Sequence, residues 1–367
     1  MILNSLSILN YRNILEAKLD FSAHVNCFVG SNGMGKSNVL DAIYYLSFCR
    51  GFASLQDSQN INHDADFFFL EGDYETDIQM KQHVGCSLKS GSRKRLKIDG
   101  KDVKRLSEYV GRIPLVMIAP TDSALITGGS EERRKFMDTV IMQYNAPYLE
   151  ALIRYDRALK QRNALLKQEE MPDAQVIEVI EEIMSLCATV IYGARKKFVE
   201  EFQPIFLDLY RQLSKNETEN VDITYVSHGE RGELYPQLRD WRVKEHIVGY
   251  TLHGVHKDEL ELSLNGYPVK REASQGQQKT YFIAMKLAQY LYLRTKGERR
   301  VPLLLLDDIF DKLDDKRVGN IIEYVSNHEF GQIFITDTNR GHIDQVLAST
   351  QRDYKFFEVT EGVVRSV

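Results

Sequence analysis

Residues Gly30 to Ser37 read GSNGMGKS, with Gly30 and Gly35 bracketing four residues before Lys36 and Ser37. This is the spacing of a phosphate-binding loop, and it lies between an apolar segment, NCFV, and a helix-like segment, SNVLDAIYYL. Glycines let backbone N–H groups curl around a phosphate chain. A lysine supplies a point charge to the β- and γ-phosphates, and a hydroxyl supplies a ligand to Mg²⁺. Gly30, Ser31, Asn32, Gly33, Met34, Gly35, Lys36 and Ser37 are therefore the candidate nucleotide-binding residues. Such a loop needs a carboxylate at the end of a neighbouring strand, and four leucines followed by Asp307 and Asp308 supply two. Asp307 is the expected Mg²⁺ holder, and Asp308 the group that orients the attacking water. A third segment, Ser274-Gln-Gly-Gln-Gln278, opens an amphipathic helix pattern. Taken alone it reads first as an N-cap by Ser274, and second as an anion site at a helix mouth, where unpaired N–H groups and the helix dipole favour negative charge.

Several elements must hold these residues in place. Short apolar strands are expected at LSILNYRNI, HVNCFVG, FFFLEGDYE, HVGCSLKSGSRKRLKIDGKDV and IPLVMIAP, and the turn pairs Ser90-Gly91 and Asp99-Gly100 predict hairpins within the fourth of these. From about residue 128 to 213 apolar residues recur at helical spacing. One stripe runs from Leu149 to Leu166 with Arg162 interrupting it; a second runs from Ile180 to Leu209, with Pro204 expected to kink it. Two such helices joined by a short polar link should lie antiparallel. Strands return at DITYVSH and ELELSLNG. Then follow the helix after Ser274, the strand VPLLLLDD, a helix over 316–327 and the strand GQIFITD. Continuous apolar strands alternating with helices predict a mostly parallel sheet covered on both faces. The expected organisation is a discontinuous head of residues 1–127 and 221–367, with 128–220 inserted as a helical lobe.

The 367 residues, 43% apolar and 27% charged, are those of a globular protein with material for two cores. No apolar run approaches the length that crosses a bilayer, and the N-terminal residues lack a secretory pattern, so a cytoplasmic location without a membrane partner is expected. The four cysteines are scattered without ligand-like spacing, which points to reduced, buried thiols. A net charge of −5 means that any nucleic-acid contact must use local basic patches. Candidates are Ser92 to Arg105, Glu132 to Lys135 and Ala194 to Lys197.

In their order, phosphate loop, Ser-x-Gly-Gln segment, Asp-Asp strand and FDKLD, these motifs resemble the ATPases that include ABC transporters, SMC proteins and Rad50. In that class Ser274, Gly276 and Gln277 match the signature that caps the γ-phosphate bound by a second copy, and Asp314 matches the D-loop. The segments LSILNYRNI, NGMGKSNVLDAIYYLSFCRGF, HGVHKDELELSLNG, ASQGQQKT and LLLLDDIFDKLDDKR narrow the resemblance to the RecF family. Val255, Lys257 and Glu259 stand where that family usually has Pro, Arg and Asp, and Thr121 replaces an acidic residue while Asp122 is kept. The resemblance implies an α/β ABC-type ATPase head binding ATP and Mg²⁺, with Lys36 and Asp308 as catalytic groups. It implies an ATP-dependent homodimer on single-stranded and gapped DNA, weak hydrolysis, and work with RecO and RecR in loading RecA. Another ABC-type head, SMC-like, Rad50-like or transporter-type, is the alternative, although a transporter subunit should carry a switch histidine that ITDTN (335–339) lacks. A nuclease-coupled ATPase would need a further acidic metal cluster, and a non-hydrolysing structural clamp would use ATP only to order an interface.

Overall fold

The computed structural model describes residues 1–52, 56–216, 218–296, 301–309, 324, 330–338, 341, 344 and 353–367. They form two compact units. One comprises Met1–Asp122, Gln212–Lys215 and Lys279–Val367; the other comprises Ser123–Arg211 and Asn216–Gln278.

In the first unit LSILNYRNI is not one strand but the later part of one strand and the turn after it: β1 (Ile2–Tyr11) turns at Arg12 and Asn13 into β2 (Ile14–Asp20). Next come β3 (Val25–Val29), α1 (Lys36–Phe48), β4 (Phe67–Glu75), β5 (Lys81–Lys89), β6 (Arg95–Ile98), β7 (Lys101–Asp102) and β8 (Leu115–Ile118). The expected turns are present: Gly91, Asp99 and Gly100 take positive φ between β5, β6 and β7, which pair antiparallel. One sheet runs β2-β1-β4-β5-β6-β7, and along β4 buried residues alternate with more exposed ones.

The second unit is mainly helical. It holds α2 (Ala124–Thr127), α3 (Ser130–Ile141), α4 (Ala146–Leu166) and most of α5 (Ala174–Ser214). β9 (Val221–Val226), α6 (Leu234–Val248), β10 (Glu259–Leu264), β11 (Tyr267–Pro268) and α7 (Val269–Glu272) complete it, with the strands ordered β11-β10-β9. Asn265 and Gly266 form the expected hairpin turn, both at positive φ. The α6 segment carries apolar residues at Leu234, Leu238 and Trp241, a helical spacing within what reads as a strand-rich stretch.

Antiparallel packing of α4 on α5 follows from two contacts, Tyr148 with Arg195 and Arg162 with Glu181; advancing fourteen residues along α4 retreats fourteen along α5. Arg162, the interruption in the apolar stripe, is fully buried and bonds Glu181, Glu245 and Thr251. The helical assignment of α5 continues ten residues beyond Pro204.

The chain returns to the first unit through α8 (Gln275–Lys296), then β12 (Leu303–Asp307), β13 (Ile333–Asp337), β14 (Tyr354–Thr360) and β15 (Val363–Ser366). These strands and two earlier ones form the order β15-β14-β3-β13-β12-β8, parallel except for β15. The expected mostly parallel sheet is therefore present, with a C-terminal β-hairpin added at its edge. α1 packs against strands of both sheets and is buried on almost every side, as an apolar helix between two layers must be. The expected helix over 316–327 lies outside the described residues apart from Tyr324. All four cysteines are buried and free.

Candidate nucleotide site

The parallel sheet brings the carboxyl ends of β3, β13 and β12 side by side, where α/β sheets build their ligand sites. After β3 the chain curls through residues 30–35 and enters α1. Gly35, at φ 112°, and Gly33, at φ 80°, take left-handed conformations that a side chain resists. Gly30 is required for a different reason, since a Cβ there would lie 2.2 Å from the Val359 carbonyl oxygen. The loop is thus cut to fit against β14, and it runs into the N-terminus of α1, where backbone N–H groups suit a phosphate chain.

Lys36, 3% exposed, donates to the carbonyl oxygens of Gly30 at 2.8 Å and Ser31 at 3.1 Å. Its Nζ lies 4.0 Å from Asp308 Oδ2. Ser37 Oγ donates to Asp307 Oδ1 at 2.8 Å, and Thr336 Oγ1 donates to the same oxygen at 2.7 Å. The Asp308 N–H donates to Thr336 Oγ1 at 3.0 Å and to the Thr336 carbonyl at 3.2 Å, which holds Asp308 at φ 44°. Four of the residues singled out in the sequence, Lys36, Ser37, Asp307 and Asp308, therefore converge. Thr336 is the member that motif reading passes over. Its signal is positional, a hydroxyl residue one short of the end of the strand between β3 and β12.

The loop also has a brace. Met34 O accepts from Gly362 N at 2.9 Å and from Asn13 Nδ2 at 3.2 Å, so both the β1–β2 turn and the β14–β15 turn grip its tip. Asn38 Nδ2 donates to Asn13 Oδ1 at 2.7 Å, and Arg12 pairs with Asp41 at 2.7 Å. Asp41 also accepts from Tyr11 OH at 2.5 Å and from Phe52 N at 2.6 Å. Burial pushes its carboxyl above the ordinary value, while Arg12, Tyr11 and the Phe52 amide pull it back.

Ser37 Oγ and Asp307 Oδ1 are a donor set suited to Mg²⁺, which takes one or two protein oxygens and completes its shell with water and phosphate. Among the described residues no group of three or more His, Cys, Asp or Glu is arranged to hold a metal without such help.

The Ser274 segment resolves into a reciprocal capping box. Ser274 Oγ accepts from Gln277 N at 3.3 Å, and Gln277 Oε1 accepts from Ser274 N at 2.8 Å. Gln277 Nε2 also donates to Glu219 at 3.0 Å. Ser274, Gly276 and Gln277 belong to the second compact unit by contact, while α8 beyond residue 278 belongs to the first. Asp314 lies outside the described residues. Asp122 receives Lys286 Nζ at 3.3 Å and the Ala119 N–H at 3.2 Å.

The three basic patches differ in how much charge they leave available. Arg195 is 2% exposed and spends its guanidinium on Asp138 and Asp258, so it is a core residue and no phosphate contact. Arg133 pairs with Glu259 at 2.6 Å, and Arg134 donates to the Asp258 carbonyl. Lys94 pairs with Asp57 at 2.7 Å and lies over the Tyr45 ring. By contrast Lys89, Arg93, Arg95 and Lys97 are in no ion pair among the described residues, and Lys89, Arg93 and Arg95 are open to solvent along with Lys97.

A family model described as RecF/RecN/SMC N terminal domain matches residues 2–364. The DNA replication and repair protein RecF of Phocaeicola vulgatus is 50% identical over 364 residues, covering 99% of this chain and 98% of that protein. The corresponding Bacteroides fragilis protein is 50% identical over 367 residues, covering 100% and 99%. A solved structure of the recombination mediator protein RecF with ATP, in the RecFOR pathway, aligns with a TM-score of 0.88 at 27% identity, covering 100% of this chain and 97% of that one. An Smc head domain from Pyrococcus furiosus aligns over 100% of this chain and 96% of that one with a TM-score of 0.57 at 15% identity, a likeness of fold.

Proposed function

Because the chain belongs to the RecF family of DNA replication and repair proteins, we propose that it binds ATP in the loop from Gly30 to Ser37 and uses it chiefly as a clamp. The reading is supported most by one observation: Ser37, Asp307 and Thr336 share a hydrogen-bonded cluster at three adjacent strand ends, with Lys36 and Asp308 beside it. Ser37 and Asp307 would hold Mg²⁺, which supplies charge neutralisation of the β- and γ-phosphates. Lys36 is the cation for those phosphates, and Asp308 orients water. Asp308 is a methylene shorter than a glutamate and the segment lacks a switch histidine, so the water is held loosely and hydrolysis is slow.

In this reading Ser274, Gly276 and Gln277 of one copy cap the γ-phosphate bound by another, and Asp314 serves the same interface. ATP then drives a homodimer onto single-strand gaps and single-to-double-strand junctions, where it assists RecA loading with RecO and RecR. The named RecFOR pathway of the similar solved structure supports those partners. DNA is met through unpaired basic residues of 89–105, with Arg95 and Lys97 rather than Lys94 as contacts.

Light scattering with and without ATP and gapped DNA tests the reading, with Lys36→Met as control. Wild type should double in mass with ATP and the variant should not; equal masses would end it. Asp308→Asn should prolong the ATP-bound dimer while lowering turnover.

A further inference from the structure

The outer face of the antiparallel sheet divides into two chemically distinct halves. Along β4 the side chains of Phe67, Phe69, Glu71, Asp73 and Glu75 share this face, alternating with buried Phe68, Leu70 and Tyr74. In the half nearer Glu75, Asp73 bonds Ser5 and His83, and His83 bonds Glu71, so the carboxylates are tied to neighbours, with Lys81 opposite Glu75. In the other half two phenylalanine rings face outward.

Register places Leu9 of β1 opposite Phe69 on one side and Ser87 of β5 opposite it on the other, with Arg95 of β6 opposite Ser87. Lys89 stands opposite Phe67, and Lys97 lies one row along from Arg95, opposite Gly85. Phe67 is 41% exposed and Phe69 half-buried. Spaced two residues apart, the rings are about 7 Å apart along the strand, room for one base on each. Lys89, Arg95 and Lys97 line the β5–β6 flank, whereas the β2 flank carries Glu16 opposite Leu9 and Lys18 opposite Ser7, so a polyanion beside the two rings is favoured on the β5–β6 side.

From this arrangement we propose that the Phe67–Phe69 end of the sheet is a stacking platform for single-stranded nucleic acid, its phosphates lying along Lys89, Arg95 and Lys97. Charge complementarity selects a polyanion. The rings select one whose base faces are open, because in a duplex those faces are closed in the stack and only phosphates and groove edges are offered. The small side chain of Ser87 keeps the floor between Phe69 and Arg95 low, while the Glu71 side chain lies over Gly85 and closes the platform on that side. The inference rests on the DNA-binding reading above and adds a strand class and a location to it.

The test is fluorescence anisotropy with a labelled thymidine oligonucleotide of about 20 residues and a duplex of the same length. Phe67→Ala/Phe69→Ala should weaken single-strand binding by about tenfold or more while duplex binding and ATP-dependent mass stay as in wild type. Phe69→Trp should retain binding and show quenched fluorescence on adding the oligonucleotide. Arg95→Gln/Lys97→Gln should weaken both ligands and flatten the salt dependence. If the double alanine variant binds the single strand as wild type does, or loses both ligands equally, or if Trp at position 69 is not quenched, the platform is overturned and the face is left as a protein-docking or plain phosphate surface. Should wild type bind neither ligand, the broader DNA reading fails first, so the two failures are distinguishable.

Discussion

At the level of single residues, what a motif promises and what a side chain does can part company. The loop from Gly30 to Ser37 was fully legible because its pattern is a list of backbone requirements, and Gly30, Gly33 and Gly35 each meet one. Gly30→Ala would set a methyl against the Val359 carbonyl, a clash about 1–3 kcal/mol in cost. It should lower both the melting temperature and the affinity for a fluorescent ATP analogue. Arg195 is the opposite case. In sequence it belongs to a basic run, ARKK, and nothing in that run tells a surface charge from a core one. The structure gives it Asp138, Asp258 and the Val255 carbonyl as partners. Arg195→Met should destabilise the second unit by about 3–5 kcal/mol, because it strands the buried Asp258 and the partly buried Asp138, and leave nucleotide affinity to the folded protein unchanged. Urea unfolding alongside nucleotide titration separates the two effects.

At the level of elements, sequence periodicity located the long helices and the parallel strands other than β14 but missed α6 and the C-terminal hairpin. Both omissions have a cause. The α6 stripe is short and half polar, and its partner groups are remote in sequence, Glu245 being held by Arg162. The β14–β15 hairpin owes its place to pairing with β3 and its importance to the grip of its turn on Met34, neither of which a local pattern records. The segment around His253 to Glu259 likewise proves to be a packing hub. Asp258 accepts from Arg195, Tyr225 and Ser227, and His256 sits between Tyr155 OH at 2.8 Å and the Thr251 carbonyl at 3.1 Å. Burial lowers the His256 pKa to about 4 from an ordinary 6.5. Above both values the ring is neutral folded or unfolded. As pH falls through 6.5 the unfolded chain takes up a proton that the folded one refuses, so stability drains between 6.5 and about 4, by roughly 3 kcal/mol in all. Unfolding followed by the single tryptophan, Trp241 on α6, should therefore shift to lower urea between pH 7 and 5. His256→Gln should flatten that slope; an unchanged slope would show that other groups set it.

At the level of the whole molecule, the nucleotide loop and the Ser274 segment carry different kinds of information. The loop and its carboxylates meet within one compact unit, which is why strand order and motif spacing sufficed to find them. The Ser274 segment caps its own helix, which satisfies it locally and explains why sequence left two readings open. A substitution can separate them. Ser274→Asp keeps an oxygen that caps the helix, so stability should stay within about 0.5 kcal/mol, yet it sets a negative charge where the γ-phosphate of a second copy would lie. The decisive measurement is the light-scattering mass of Ser274→Asp with saturating ATP. A folded, ATP-binding monomer is the predicted result; a dimer formed as readily as by wild type would contradict the proposal that ATP is shared between two copies.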